Sequence, residues 1–448
     1  MIRPHSAPEG PIRPLGRSRA AMTIFAPLAT LNARQWRAFI AAFLGWTLDA
    51  FDFFLVTFVL VNIAHDLGVV KTDGTPDIAT VAWLITLTLM FRPVGALIFG
   101  LIADRFGRRG PLMASILLYS LFELLSGFAP TFTALLVLRC LYGIAMGGEW
   151  GVGAALALET LPAQARGIAS GIIQQGYAFG YLIAALVFGQ FFGLIGWRGM
   201  FFVGVLPALL VFWIRAGVQE SPVWEAGQHV RVGQRSNLLR SIARTPLLYV
   251  FAIVLMAAFN FMSHGSQDLY PTFLRVQRGF SPHLVQNVTV VMNVGAIIGG
   301  TLLGALSQRI GRRITICACC VLGACVIPIW TGATTPVLLA GGAFIMQFFV
   351  QGAWGVVPAH LNELSPGEVR GTFPGFTYQL GNLITAFAAQ WEALFASKSF
   401  PLPPPATANY GHAMQIIMVG VFAVVFIVAA LGPEKRGVSF TEEPAQAA

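Results

Sequence analysis

Twelve apolar runs, each about as long as a helix that crosses a bilayer, leave this chain few alternatives. They lie near 36–61, 79–101, 111–128, 131–157, 168–192, 197–214, 246–270, 284–306, 314–331, 335–359, 372–396 and 411–431. A helix needs about 20 apolar residues to span the hydrocarbon layer, so each run has the length required. Composition agrees. Of the 448 residues 56% are hydrophobic and 10% charged, against ~25% charged in an ordinary soluble domain, and the mean hydropathy is +0.72. A soluble enzyme, a nucleic-acid-binding protein and a disordered scaffold are excluded. An all-α, multi-pass membrane protein remains, with the lipid bilayer as its surroundings and a monomer as the expected state.

The basic residues set the topology. Twenty-one Lys and Arg fall on one side: in the N-terminal tail, the 102–110 turn, Arg166, the 215–245 loop, the 307–313 turn, Arg370, and Lys435 with Arg436. Five fall on the other, and Arg92 and Arg139 lie inside spans. The positive-inside rule then predicts an even number of spans with both termini cytoplasmic. Residues 1–35 carry no cleavable signal pattern and read as a Pro- and Arg-rich tail. The preponderance of Arg over Lys suggests a GC-rich bacterial genome, and with it an inner-membrane location.

The chain also repeats itself at an offset of 204. Gly100-Leu-Ile-Ala-Asp104-Arg105-Phe106-Gly107-Arg108-Arg109 returns as Gly304-Ala-Leu-Ser-Gln308-Arg309-Ile310-Gly311-Arg312-Arg313. In the same register Gly148-Glu149-Trp150-Gly151 becomes Gly352-Ala353-Trp354-Gly355, and Glu159 to Pro162 becomes Glu363 to Pro366. Two six-helix halves in one orientation are therefore expected, at 36–214 and 246–431. They are joined by a cytoplasmic loop at 215–245 and followed by a tail at 432–448. Parallel repeats of this kind build alternating-access carriers.

The doubled Gly-x-x-x-Asp-Arg-x-Gly-Arg-Arg turn resembles the signature of the major facilitator superfamily. Arg139-x-x-x-Gly143-x-x-x-Gly147 is similar to that family's second motif. The resemblance implies twelve helices in two pseudo-symmetric halves. It also implies a gating role for Asp104, Arg105, Arg108 and Arg109, with Arg309, Arg312 and Arg313 as their counterparts. Gln308 replaces the acid in the second half, so the charged latch is expected to be one-sided.

A charged side chain at mid-span costs ~2.5–3.5 kcal/mol on insertion scales and normally faces a cavity or a partner. Asp49, Asp52, Arg92, Glu123, Arg139, Glu149, His264, Asp268 and Glu392 make up this short set. In the seventh span Asn260, Ser263, His264, Gln267, Asp268 and Thr272 recur every three or four residues, which predicts one polar stripe lining water or substrate. A purely structural hydrogen-bond ladder is the alternative. A His with a carboxylate four residues on suits proton exchange. Written out, Asn260-Phe-Met-Ser263-His264-Gly-Ser266-Gln267-Asp268-Leu-Tyr-Pro-Thr272 is similar, position by position, to the N-x-x-[ST]-H-x-[ST]-Q-D-x-x-x-T motif of monocarboxylate:proton symporters of the fungal lactate-permease type. These are grouped with sialic-acid permeases in a sialate:proton symporter family. That resemblance implies substrate recognition and proton coupling by Asn260, His264 and Asp268.

Other candidates follow from residue chemistry. Gln379 and Asn382 share a face of the eleventh span, and Gln175 stands opposite Gln379 under the offset of 204. Amides suit the oxygens of a hydroxy- or keto-acid, although helix–helix bonding would use them equally. Arg92 or Arg139 could clamp a carboxylate bidentately, or either could pair with Asp49, Asp52, Glu123 or Glu149. Asp49 and Asp52, one turn apart, suit a proton carrier or a static ion pair. Glu149 gives way to Ala353 in the second half and so reads as functional. Cys317 and Cys320 form a C-x-x-C, but thiols in lipid usually serve as small apolar groups, so no metal site is expected.

The sequence thus predicts a proton-coupled symporter for a small monocarboxylate such as lactate or pyruvate. A sialic-acid or aromatic-acid symporter is the alternative. A non-transporting sensor fits less well, because the tails are short. An enzyme is not expected, because the His residues are scattered. No phosphate-cradling loop is present, and the proton is the expected coupling ion, with no other cofactor.

Overall fold

A computed structural model describes residues 24–72, 74, 77–228, 238–399 and 409–440. The tail before residue 24, the middle of the 215–245 loop (229–237) and residues 441–448 lie outside the described residues. Lipid leaves a backbone no partner but itself, and the described chain answers with helices throughout.

The first half holds α1 (Ala33–Asp66), α2 (Trp83–Phe106), α3 (Arg109–Gly127) and α4, which bends at Gly148 between Phe132–Gly147 and Glu149–Thr160. The helix Arg166–Val203 breaks at Gly196, whose φ of 62° is open to glycine but strained for other residues. It is α5 before that break and α6 after it, and α6 continues through Pro207–Gly217. The second half holds α7 (Pro246–Gln267), α8 (Pro282–Ile310), α9 (Arg312–Gly332) and α10 (Pro336–Trp354 with Val357–Leu364). It ends with α11 (Phe373–Thr385 with Ala388–Ser399) and α12 (Tyr410–Leu431).

Among the described residues, ten helical segments are long and apolar enough to cross a membrane. The two fewer than expected have local causes. One segment, Ala163–Gly217, contains both α5 and α6. The other shortfall is α11, which is divided after Thr385. Its two pieces, 13 and 12 residues long, are each too short to count as a span.

The repeat persists at the level of local chemistry. Thr131 caps α4 by accepting from the Ala134 N–H, and Thr335, 204 residues on, caps α10 by accepting from the Leu338 N–H. α1 packs on α5 as α7 packs on α11, and α2 on α4 as α8 on α10. The halves meet at two equivalent crossings, α5 on α8 and α11 on α2. Small residues allow the first. A Cβ on Gly171 would stand 3.0 Å from the Thr301 carbonyl, and one on Gly304 would stand 2.7 Å from the Gly171 Cα. On α9 Cys317, Cys319, Cys320 and Cys325 are free thiols, two of them buried.

Candidate functional site

The end of the molecule that carries the basic turns is closed. Asp104, at the end of α2, reaches across to the other half and accepts from the Gly371 N–H (2.7 Å), the Thr372 N–H (3.1 Å) and the Thr372 hydroxyl (2.6 Å). Its other partner is Arg108, 3.2 Å away. Gln308, at the equivalent place in the second half, accepts from Arg312 within its own half. The cross-half charge is therefore on α2.

Around this closure the two turns repeat their ion pairs. Arg108 holds Glu159 with two bonds (3.2 and 3.0 Å), and Arg312 holds Glu363 with two (both 2.9 Å), with all four side chains buried. Arg109 donates to the Arg215 carbonyl at the end of α6, while Arg313 donates to the Ala429 and Ala430 carbonyls of α12. Glu220 accepts from the Arg108 and Arg109 N–H groups, and Glu434 from the Arg312 N–H, so each acid sits at a helix N-terminus. Arg105 and Arg309 differ. Arg105 is exposed with its guanidinium over the Phe106 ring, and Arg309 lends its carbonyl to Arg436.

Near the middle of the bundle, a cavity of about 180 Å³ lies between the halves. Gln174, Gln175, Tyr177 and Tyr181 of α5, together with Phe54, form one wall. His264, Gln267 and Asp268 from the end of α7 form another, and Asn293 of α8 and Gln351 of α10 complete it. His264 Nδ1 lies 2.9 Å from Asp268 Oδ2, and about a third of each side chain is exposed. The two groups thus face each other and the cavity at once. Among the described residues that line it, none is Lys or Arg.

The stripe predicted on the seventh span is brought together only in part. Gln267 and Gln351 both donate to the Ser263 hydroxyl, at 2.7 and 3.3 Å. Asn260 is buried beside this wall and donates back to the Met256 carbonyl (2.9 Å). Thr272 falls beyond the end of α7, because Pro271 has no N–H for the Gln267 carbonyl four residues back and its ring crowds that carbonyl, so α7 stops at Gln267 and the helix restarts at Tyr270. Gln379 and Asn382 are buried and bonded to each other (3.0 Å), outside the cavity lining. Gln175 lies in the lining as the offset suggested.

Both candidate arginines lie elsewhere, inside the first half. Arg92 pairs with Asp49 at 3.1 Å, with its guanidinium 5.3 Å from the Phe53 ring centroid. Arg139 pairs with Glu123 at 2.7 Å, donates to the Ser126 hydroxyl at 2.6 Å and stacks on Tyr142. Each thus takes the ion-pair alternative. Asp52 and Glu149 are fully buried, and among the described residues none of their carboxyl oxygens has a hydrogen-bond partner. Trp150, next to Glu149, donates its indole N–H to Gln174 of the cavity wall (3.2 Å).

Sequence reading missed Gln174, Asn293 and Gln351 in the wall, and Glu220 and Glu434 at the turns. Gln351 had a signal. It occupies the place of Gly147 in the first half, so the repeat exchanges a packing glycine for an amide.

Comparison with known proteins follows the same lines. A family model described as Major Facilitator Superfamily matches residues 40–389. A carboxylic acid transporter protein homolog of Saccharomyces cerevisiae is 32% identical over 438 residues, covering 91% of this chain and 70% of its own length. The sialic acid transporter NanX of Escherichia coli is 30% identical over 358 residues, covering 78% of this chain and 85% of its own. Among solved structures, the proton:xylose symporter XylE bound to 6-bromo-6-deoxy-D-glucose superposes with a TM-score of 0.71 at 17% identity. That match covers 91% of this chain and 98% of the other, and it is a likeness of fold.

Proposed function

The chain belongs to the major facilitator superfamily, and from that premise we propose that it is a proton-coupled symporter of small organic acids, with a monocarboxylate of the lactate or pyruvate type as its cargo. The observation that carries this reading is the His264–Asp268 pair, bonded at 2.9 Å and part-exposed in the cavity between the halves. The relatives named for carboxylic-acid and sialic-acid transport support the organic-acid class.

The proposed chemistry follows from the lining. Without a fixed cation there, a carboxylate is best met by a protonated imidazole and by amide N–H donors, of which Gln174, Gln175 and Asn293 are in place. Asp268 orients the imidazole and holds the proton in reserve, so that acid and proton load from the same side. A volume of about 180 Å³ lies below the ~300–1,000 Å³ of drug-sized pockets, which favours lactate over a sugar acid.

With the basic turns on the cytoplasmic side of an inner membrane, the described state is closed to the cytoplasm. Inward opening then requires the Asp104 bonds to release and the two crossings to part. Asp49, Asp52 and Glu149 form a second proton-exchange group within the first half. Asp49 is committed to Arg92, which leaves Asp52 and Glu149 as its free members.

An aromatic acid is a second reading, favoured by one observation. Phe54 stacks edge-on against Tyr177 (5.1 Å) and Tyr181 (4.8 Å), and all three rings border the cavity. Uptake of labelled lactate into proteoliposomes tests the choice. An acid exterior is expected to accelerate uptake, and unlabelled pyruvate is expected to compete better than benzoate or sialic acid. Stronger competition by benzoate transfers the proposal to aromatic acids, and uptake indifferent to the pH gradient overturns the coupling.

A further inference from the structure

After α12 the chain does not leave the protein. Glu434 accepts from the Arg312 N–H (2.7 Å), Arg436 donates to the Arg309 carbonyl (2.8 Å) and the Gly437 N–H donates to Glu363 (3.3 Å). All three contacts are with the second half. The next residues cross to the first. Arg166 donates to the Val438 carbonyl at 2.6 Å, and Phe440, only 5% exposed, packs with Leu158, Leu161 and Ala165.

The Phe440 ring also sits between two arginines that the repeat makes equivalent. The Arg166 guanidinium lies 3.5 Å from its centroid and that of Arg370 4.3 Å. Arg166 belongs to the first half and Arg370 to the second, at the offset of 204. The two guanidinium charges lie near each other, with Glu363 and Glu159 close by, and the ring offers each arginine a π face. Nothing in the two-fold repeat supplies this ring. The tail adds it once, at the point where the halves meet.

We propose that residues 432–440 form a strap that locks the basic end shut, with Phe440 as its removable wedge between Arg166 and Arg370. Parting of the halves at this end separates the two arginines, so the ring can stay with one at most. Release of the strap is then a condition for opening, and whatever holds or displaces the tail sets the balance between the two states. This rests on the alternating-access reading above.

Paired spin labels test it. Phe106→Cys and Ile310→Cys place labels on exposed, repeat-equivalent turns of the two halves, in a background free of the native cysteines. With the tail intact, one short separation is expected to dominate. Phe440→Ala is expected to raise the population of a longer separation about tenfold, because the two cation–π contacts and the apolar burial of the ring are lost together. Phe440→Leu, which keeps the apolar burial and so guards against misfolding, is expected to move the same way by about threefold, and Phe440→Trp is expected to behave like the parent. If the longer separation appears on adding substrate but both the alanine and leucine variants match the parent, the strap is overturned and the transport cycle stands. If no condition produces a longer separation, the alternating-access reading falls, and the strap with it.

Discussion

Replacing His264 with alanine, or Asp268 with asparagine, is expected to lower pH-driven organic-acid uptake about 10- to 100-fold. A hydrogen bond to a charged group contributes ~1.5–3 kcal/mol, and 1.4 kcal/mol is a factor of ten. The two changes act differently on the same bond. His264→Ala removes the donor that would face the carboxylate. Asp268→Asn keeps the size of the side chain but removes the charge that stabilises a protonated imidazole 2.9 Å away. Asp268→Asn is therefore expected to abolish the response to the pH gradient while sparing downhill exchange of substrate across the membrane. Initial rates of uptake and of exchange in proteoliposomes check this. Equal loss of both in the asparagine variant would make Asp268 a binding residue rather than a coupling one.

Arg139→Met is expected to destabilise the protein by about 3–5 kcal/mol, the cost of leaving a buried partner without its counter-ion. That partner is Glu123, 2.7 Å away and fully buried. The double variant Arg139→Met with Glu123→Gln removes both charges and is expected to recover most of that loss, since a buried pair is often worth little more than apolar residues of the same volume. Thermal melting of the purified protein in detergent gives the cycle. Uptake adds a second readout. A structural Arg139 predicts that the double variant transports well above the single one. A double variant that is stable but inactive would return Arg139 to the substrate.

The parts that sequence made legible are those where chemistry leaves one explanation. A His and an Asp four residues apart inside an apolar run favoured a polar lining over a structural ladder, and the structure sets them in the cavity. The repeat was equally readable, because Thr131 and Thr335, Arg108 and Arg312, and Glu159 and Glu363 keep their spacing along the chain. The partners of Arg92 and Arg139 were not. Four acids on three spans were available to both, and only helix packing selects Asp49 for one and Glu123 for the other. Gln351 and Asn293 escaped because an amide at mid-span serves equally as helix glue. Glu220 and Glu434 do the same work at 214 residues' separation, so a search at 204 passes over them. The break in α11 after Thr385 leaves no mark in hydropathy.

The central claim is that an acid and a proton cross together, and a pH-sensitive dye sealed inside proteoliposomes tests it most directly. With the pH equal on both sides, adding lactate outside is expected to acidify the lumen far faster than in protein-free liposomes, and the Asp268→Asn protein is expected to match the protein-free rate. Labelled lactate that accumulates through the protein while the lumen pH follows the protein-free trace would contradict the account.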